Sequence, residues 1–391
     1  MIESRSLQQV ITQCIGFIEK NDLYSYDHFD ALTSPVLRFF SLKNRLLERI
    51  FIQINGKLPF NFRITGTKKL QHTKAISDML MVYSILYGRS GSPQLLEKAK
   101  KMLELLVSKA QTNNNGIAWG LNFQYSTRFT TSTPATINLY STVFAGFAIL
   151  SLYESTGDAS LKILIEKIRY SLEHELGYIQ KSPQSLFFRY YPNEDDPIIN
   201  VNALALWFFD KSNSLFKFKI FPDQLISGIL NFILETQNED GSWWYAITNN
   251  GRWVDGFHTG YVIESLINLS PELQNERTRK SIEKAFQYFI NNFITRNNET
   301  CYFPRKIYPV DAQNSAQIIQ TLSSYYNVYP EQADERMLNG LIQHTLDNLY
   351  NQKGYFYFRK MSNFTYKLPY FRWSQTPMIL SLISAVKFQA S

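Results

Sequence analysis

The chain has 391 residues, 45% of them hydrophobic and 15% aromatic, with 40 Lys plus Arg against 33 Asp plus Glu. That length and apolar share exclude a disordered chain and supply a sizeable core. The net charge of +7 comes from scattered residues with no long Lys/Arg run, which argues against nucleic acid and leaves room for an anionic small partner.

The N-terminal stretch carries Glu3, Arg5, Gln8 and Gln9 where a signal peptide needs an apolar core, so export is not expected. The first helix is read over residues 6–20, from the stripe Leu7, Val10, Ile11, Cys14, Ile15 and Ile18. A loop with Asp27 and Asp30 follows, then a helix over 36–53. From residue 73 onward the pattern becomes repetitive: paired helices over 73–88 and 93–110, 135–154 and 159–174, 200–209 and 222–236, 257–269 and 276–292, 312–326 and 332–350, and a last helix over 373–387. The most apolar run, 143–153, is too short to span a bilayer. Loops rich in Gly, Tyr, Phe and Trp precede the first helix of each pair; the densest is residues 237–256, with Trp243, Trp244, Tyr245 and Trp253.

Residues at the starts of those first helices, Lys74, Pro134, Asn200, His258, Asp311 and Arg372, are spaced 60, 66, 58, 53 and 61 apart. Six helical pairs that bury their faces only against neighbours must stack or close. The expected fold is all-α, an (α/α)6 toroid or six-hairpin barrel. It would be a single domain over 1–391, residues 1–33 forming an extra N-terminal helix and loop and about 34–391 forming the ring. The aromatic loops would then meet at one end of the barrel. Cys14 and Cys301 are far apart and form neither a disulfide framework nor a metal-ligand set. A cytoplasmic location follows as an expectation, with no metal and no cofactor.

The motifs YDHFDAL, DGSWWY, WVDGFHTGY, YPVDAQ and FRWSQ, in that order along most of the chain, resemble the VpsJ-type proteins of exopolysaccharide biosynthesis clusters. The resemblance implies a toroid and a role in making or modifying surface polysaccharide, and it supplies no reaction. More distantly, QNEDGSW is similar to the Gln-Trp repeats of terpene cyclases, and GFHTGY to the helix start that carries the zinc-binding His of protein prenyltransferases. The Asp-x-Cys pair and the Asp-x-Asp-Asp acid motif of those enzymes are missing, so this second resemblance speaks to fold alone.

The candidate chemistry sits at the loop end. Asp255 reads either as a general acid or base, with His258 sharing the work, or as an N-cap with a buried histidine in its first turn. Asp27 and Asp30 read as the paired carboxylates of a glycosidase or as turn residues. Asp311 is a loop acid or an N-cap, and Tyr245 is a candidate proton carrier. Arg63, Lys74, Arg128 and Arg372 read as a group converging on a carboxylated or sulfated sugar, or singly as surface or ion-pair residues. Trp119, Trp243 and Trp373 would stack on sugar faces or plug loops against the ring, and Asn202 is a further substrate-binding candidate.

The expected function is binding of a glycan or lipid-linked oligosaccharide in the toroid cavity. An enzyme of this kind would be a glycoside hydrolase, polysaccharide lyase or sugar epimerase. The competing class is a non-catalytic binding or assembly component, peripherally associated with polysaccharide synthesis machinery; a prenyltransferase or terpene cyclase ranks third.

Overall fold

The computed structural model describes residues 4–57, 65–126, 131–217 and 219–390. Helix α1 (Ser4–Lys20) buries Leu7, Ile11, Cys14 and Ile18, the stripe read from the sequence. Where one helix is expected over 36–53, the structure has two, α2 (Pro35–Phe40) and α3 (Arg45–Lys57). The break falls at Leu42 and Lys43, both left-handed at φ 51° and 54°. Asn44 then restarts the helix by accepting from the backbone N–H of Leu46 at 2.9 Å.

Five hairpins follow: α4 (Thr73–Ser90) with α5 (Pro93–Ser108), α6 (Leu139–Thr156) with α7 (Leu161–Tyr170), α8 (Ile199–Phe216) with α9 (Asp223–Glu235), α10 (Gly256–Ile267) with α11 (Glu276–Phe293), and α12 (Ala312–Val328) with α13 (Glu335–Leu349). Helix α14 (Thr376–Ala390) is the last element. Helix α6 starts at Leu139 rather than at Ala135 because Asn138 caps it, accepting from Ser141 N–H at 2.8 Å.

The first helix of each hairpin packs on the first helix of the next, from α4 through α6, α8, α10 and α12 to α14, and α14 packs back on α4. That last contact makes the repeat a closed ring, whereas an open solenoid would leave its two ends apart. The fold is therefore an (α/α)6 toroid, with small two- and three-stranded sheets in its loops. The N-terminal helix has a definite place in it: α1 packs against α14 and serves as the outer helix of the sixth hairpin.

Ring position explains the composition of the helices. Inner helices meet neighbours on both flanks and an outer helix behind, so α6 buries twelve of its eighteen residues, whereas outer α11 buries six of eighteen and keeps a polar face. Gly146 lets α6 approach α8, because a Cβ there would lie 2.5 Å from the Phe208 ring. Gly146→Val is expected to lower stability by about 1–3 kcal/mol through overpacking, read as a shift in the urea midpoint.

The six inner helices run the same way, and the loops that lead into α6, α8, α10, α12 and α14, together with Phe29, line a cavity of roughly 550 Å³ at one end of the barrel. A second cavity of roughly 780 Å³ opens at the other end. Tyr140, Phe144 and Tyr261 pack against one another at mid-height, with ring centroids 4.8 and 5.9 Å apart along the series, and divide the two. Among the described residues no helix is long and apolar enough to cross a membrane.

Candidate functional site

The loop before α10 is built from its turn outward. Gly241 takes φ 95°, and Asp240 Oδ1 accepts from Ser242 N–H at 3.0 Å and from its hydroxyl at 2.7 Å. The chain then delivers Tyr245 and Trp253, stacked at 4.4 Å, to the cavity wall. Asp255 caps α10: its Oδ1 accepts from His258 N–H at 2.8 Å, and its Oδ2 accepts from His258 Nδ1 at 2.7 Å and from Trp253 Nε1 at 3.3 Å. Asp255 is buried, whereas the His258 side chain stays 21% exposed and lines the cavity. A carboxylate on Nδ1 assigns the ring proton there in neutral imidazole, leaving Nε2 as the atom that can take a proton from a ligand.

The facing wall is formed before α14. One wide turn at Phe371–Gln375 places Arg372 and Trp373 beside each other at the cavity. Arg372 grips the buried Asp27 through Nε and through Nη2, the latter at 2.9 Å, and Trp373 Nε1 donates to the same carboxylate at 3.1 Å. This uses one edge of the guanidinium, and among the described residues Nη1 takes no part in the pair and has no hydrogen-bond partner. Burial alone would raise the Asp27 carboxyl, but the charge and hydrogen bonds of Arg372 outweigh it and bring it down to about 2. Asp30 moves the other way. Burial and the charge of Asp27 push it well above the usual carboxylate range, while its Oδ2 accepts from Asp27 N–H at 2.7 Å.

His72 lies behind this wall, buried, with Nε2 3.2 Å from the Ser25 carbonyl. Burial lowers it to about 4. The unfolded chain takes up this proton below about pH 6.5 and the folded chain only near 4, so the stability involved is present above 6.5 and lost as pH falls through that window. The expected loss is about 3 kcal/mol between pH 7 and pH 4. Urea titrations of the wild type and His72→Gln should differ in pH slope by one proton in that range.

Between the two walls stand Tyr125, Tyr140, Tyr190, Tyr191, Tyr245 and Tyr302. Burial raises every one of these phenols, so they are proton donors rather than bases at neutral pH. Glu194 and Asp196 supply carboxylates, Asp196 accepting from the Thr248 hydroxyl at 2.7 Å. Asn200 Oδ1, buried at the wall, has no hydrogen-bond partner among the described residues.

Of the residues singled out from the sequence, His258, Tyr245, Arg372 and Trp373 line this cavity, with Asp255 and Asp27 directly behind them. The others lie elsewhere. Trp243 and Trp119 are buried plugs, their indole N–H groups donating to the carbonyls of Ile233 at 2.9 Å and Leu106 at 2.7 Å, so neither offers a face to a sugar. Asn202 is spent on the backbone of Phe188 and Ile198. Lys74 sits below the mid-height aromatics, paired with Asp78 at 2.5 Å, and belongs to the second cavity. Asp311 caps α12 and binds Arg359 at 2.7 Å. Asp30 is fully buried. Arg63 and Arg128 lie outside the described residues. Trp243→Ala is accordingly expected to lower stability by about 3–5 kcal/mol, measured by urea unfolding, while ligand affinity of the folded fraction stays unchanged.

Sequence reading did not select Tyr125, Tyr140, Tyr190, Glu194 or Asn200 as site residues. Tyr190 and Glu194 belong to the aromatic, acidic loop FFRYYPNEDD, whose composition was the available signal. Tyr140 looks like any core aromatic of an inner helix. Among the described residues, no group of three or more His, Cys, Asp or Glu is arranged to hold a metal ion.

No family model matches the chain, and no curated protein matches it in sequence. Solved structures do match it in fold. A D-mannose isomerase superposes with TM-score 0.63 at 10% identity, covering 81% of this chain and 87% of its own. The cellobiose 2-epimerase of Spirochaeta thermophila DSM 6192 gives 0.61 at 11% identity, covering 81% and 86%. A glycosyl hydrolase family 88 protein from Bacteroides vulgatus gives 0.60 at 10%, covering 98% and 99%. At these identities the likeness establishes the six-hairpin toroid that these structures share with this chain.

Proposed function

We propose that the protein is a carbohydrate-processing enzyme whose chemistry is proton transfer at carbon, as in epimerisation or isomerisation of a sugar. The observation that carries this reading is the Asp255–His258 pair, with Nδ1 fixed by a buried carboxylate and the ring open to a cavity lined by tyrosines. In the proposed reaction His258 Nε2 removes the proton from the carbon next to a sugar carbonyl. The electron pair forms the C=C bond of an enediolate, whose oxygen faces the Nη1 edge of Arg372. Return of a proton to the other face of that carbon, from a wall tyrosine, gives the epimer, and return to the neighbouring carbon gives the isomer; the phenolate left behind regains its proton, through water, as His258 gives up the one it took. Tyr140 and Tyr190 suit the donor role because both retain their protons and both interact electrostatically with Arg372.

Hydrolysis is the second reading, and the Glu194 and Asp196 carboxylates on the wall favour it. It draws no support from Asp27, Asp255 or Asp311, each already held by an arginine or a histidine. The sequence resemblance makes a surface polysaccharide or its lipid-linked precursor the first natural substrate to try, and the free buried thiols of Cys14 and Cys301 support a cytoplasmic setting.

The deciding experiment is proton NMR in deuterated buffer with D-mannose, cellobiose and the host's surface glycan. Deuterium entering beside the carbonyl supports proton transfer. New reducing ends without deuterium overturn it in favour of hydrolysis, and line broadening without any product favours a binding component.

A further inference from the structure

The α2–α3 hairpin leaves a face that the toroid does not use. Seven of the sixteen exposed large apolar side chains among the described residues fall within the nineteen positions from Val36 to Ile54. Phe39 and Leu42, at the elbow between the helices, are 73% and 74% exposed. On α3, Leu46, Ile50 and Ile54 recur every fourth residue and form one outward stripe, while Ile52 and Glu48 face inward. A helix with an apolar stripe on its solvent side has a second surface to cover.

The charges on the hairpin narrow what covers it. Arg38, Lys43 and Arg45 are exposed around the apolar patch, and Arg49 is half-buried. The single acid between Pro35 and Gly56, Glu48, is buried, accepting from Gln124 Nε2 at 2.7 Å and from the Ser126 hydroxyl. Apolar and aromatic groups ringed by cations, without an exposed carboxylate, match the interface of a bilayer containing anionic lipid. A second copy meeting the same patch across a twofold axis would set cations against cations.

We propose that α2–α3 is a membrane-docking surface for anionic lipid. It stands at the rim of the candidate site: Ala31, Leu32 and Ile52 form a small core under the hairpin, and Phe29 and Tyr125, which pack on that core, also line the cavity. Docking therefore brings the cavity to the bilayer surface. A glycan carried on a membrane lipid would meet the site there; that last step rests on the glycan reading, whereas vesicle binding does not.

The test is co-sedimentation of the whole protein with vesicles of phosphatidylcholine alone and with phosphatidylglycerol added. The wild type should bind the anionic vesicles at least tenfold better than the neutral ones and weaken as salt is raised. Phe39→Ser with Leu42→Ser should lose binding at least tenfold at unchanged Tm. Each of Lys43→Gln and Arg45→Gln should weaken it about fivefold. No binding by the wild type overturns the proposal, as does equal binding by the Phe39/Leu42 variant. Sedimentation of a vesicle-free dimer that Phe39→Ser dissolves also overturns it, giving the patch to a second copy. Deuterium exchange on soluble sugars, measured on the same variants, reports separately on the catalytic reading.

Discussion

His258→Gln should remove turnover by about 10²–10⁴-fold, the range for loss of a positioned acid–base group, with the fold unchanged. Asp255 separates this role from simple capping. Its Oδ1 caps α10 and its Oδ2 orients the imidazole, so each function has its own oxygen. Asp255→Asn keeps a good cap through its amide oxygen but turns its N–H donor against Nδ1, favouring the other tautomer. The expected result is near-native stability with turnover cut close to the His258→Gln level. Asp255→Ala should in addition lose about 1 kcal/mol of stability. If instead Asp255→Asn unfolds or retains full turnover, Asp255 serves the fold alone. Deuterium incorporation by NMR and a urea titration of the same samples supply both readouts.

The second large effect belongs to Arg372 and Asp27. Both are nearly fully buried and pair through two hydrogen bonds. Removing one partner strands the other charge away from water, so Arg372→Met is expected to lower stability by about 3–5 kcal/mol. Replacing both, Arg372→Met with Asp27→Leu, should return much of that stability, because no charge is then left unpaired. Activity should not return, since Nη1 is gone. A double-mutant cycle in urea, run beside the turnover assay, tests this directly. Equal stability of the single and double variants would mean that the ion pair has little coupling.

The ring was legible because its cause is local and repeated: six apolar helices at spacings near sixty residues, each preceded by a loop. Closure was not, because the contact of α14 with α4 joins elements remote in sequence. The same distance hid the role of α1, whose ordinary amphipathic stripe does not name its partner. At the site, the proximity of Asp255 and His258 was visible in their spacing. The attachment of Asp27 to Arg372 spans nearly the whole chain and leaves no local sign. Trp243 and Trp119 stayed between two readings in the sequence, sugar platform or loop plug, for a definable reason: an aromatic in a loop presents the same letters whether it faces a ligand or, like these two, donates its indole N–H to a helix carbonyl. The break at Leu42 and Lys43 was equally hidden, since neither residue type favours the left-handed conformation it takes there.

The seam where α1 and α4 meet α14 sets an order on biogenesis. During synthesis α1, with its buried stripe of Leu7, Ile11 and Ile18, is made well before α14, the helix it packs against. The nascent chain can stack hairpins one after another, but it carries an uncovered apolar stripe and an open ring edge until translation of α14 is complete. A circular permutant that opens the chain in the α6–α7 turn after Gly157 and joins α14 to α1 through a flexible linker would make the sixth hairpin continuous. It should refold faster than the parent and depend less on chaperones.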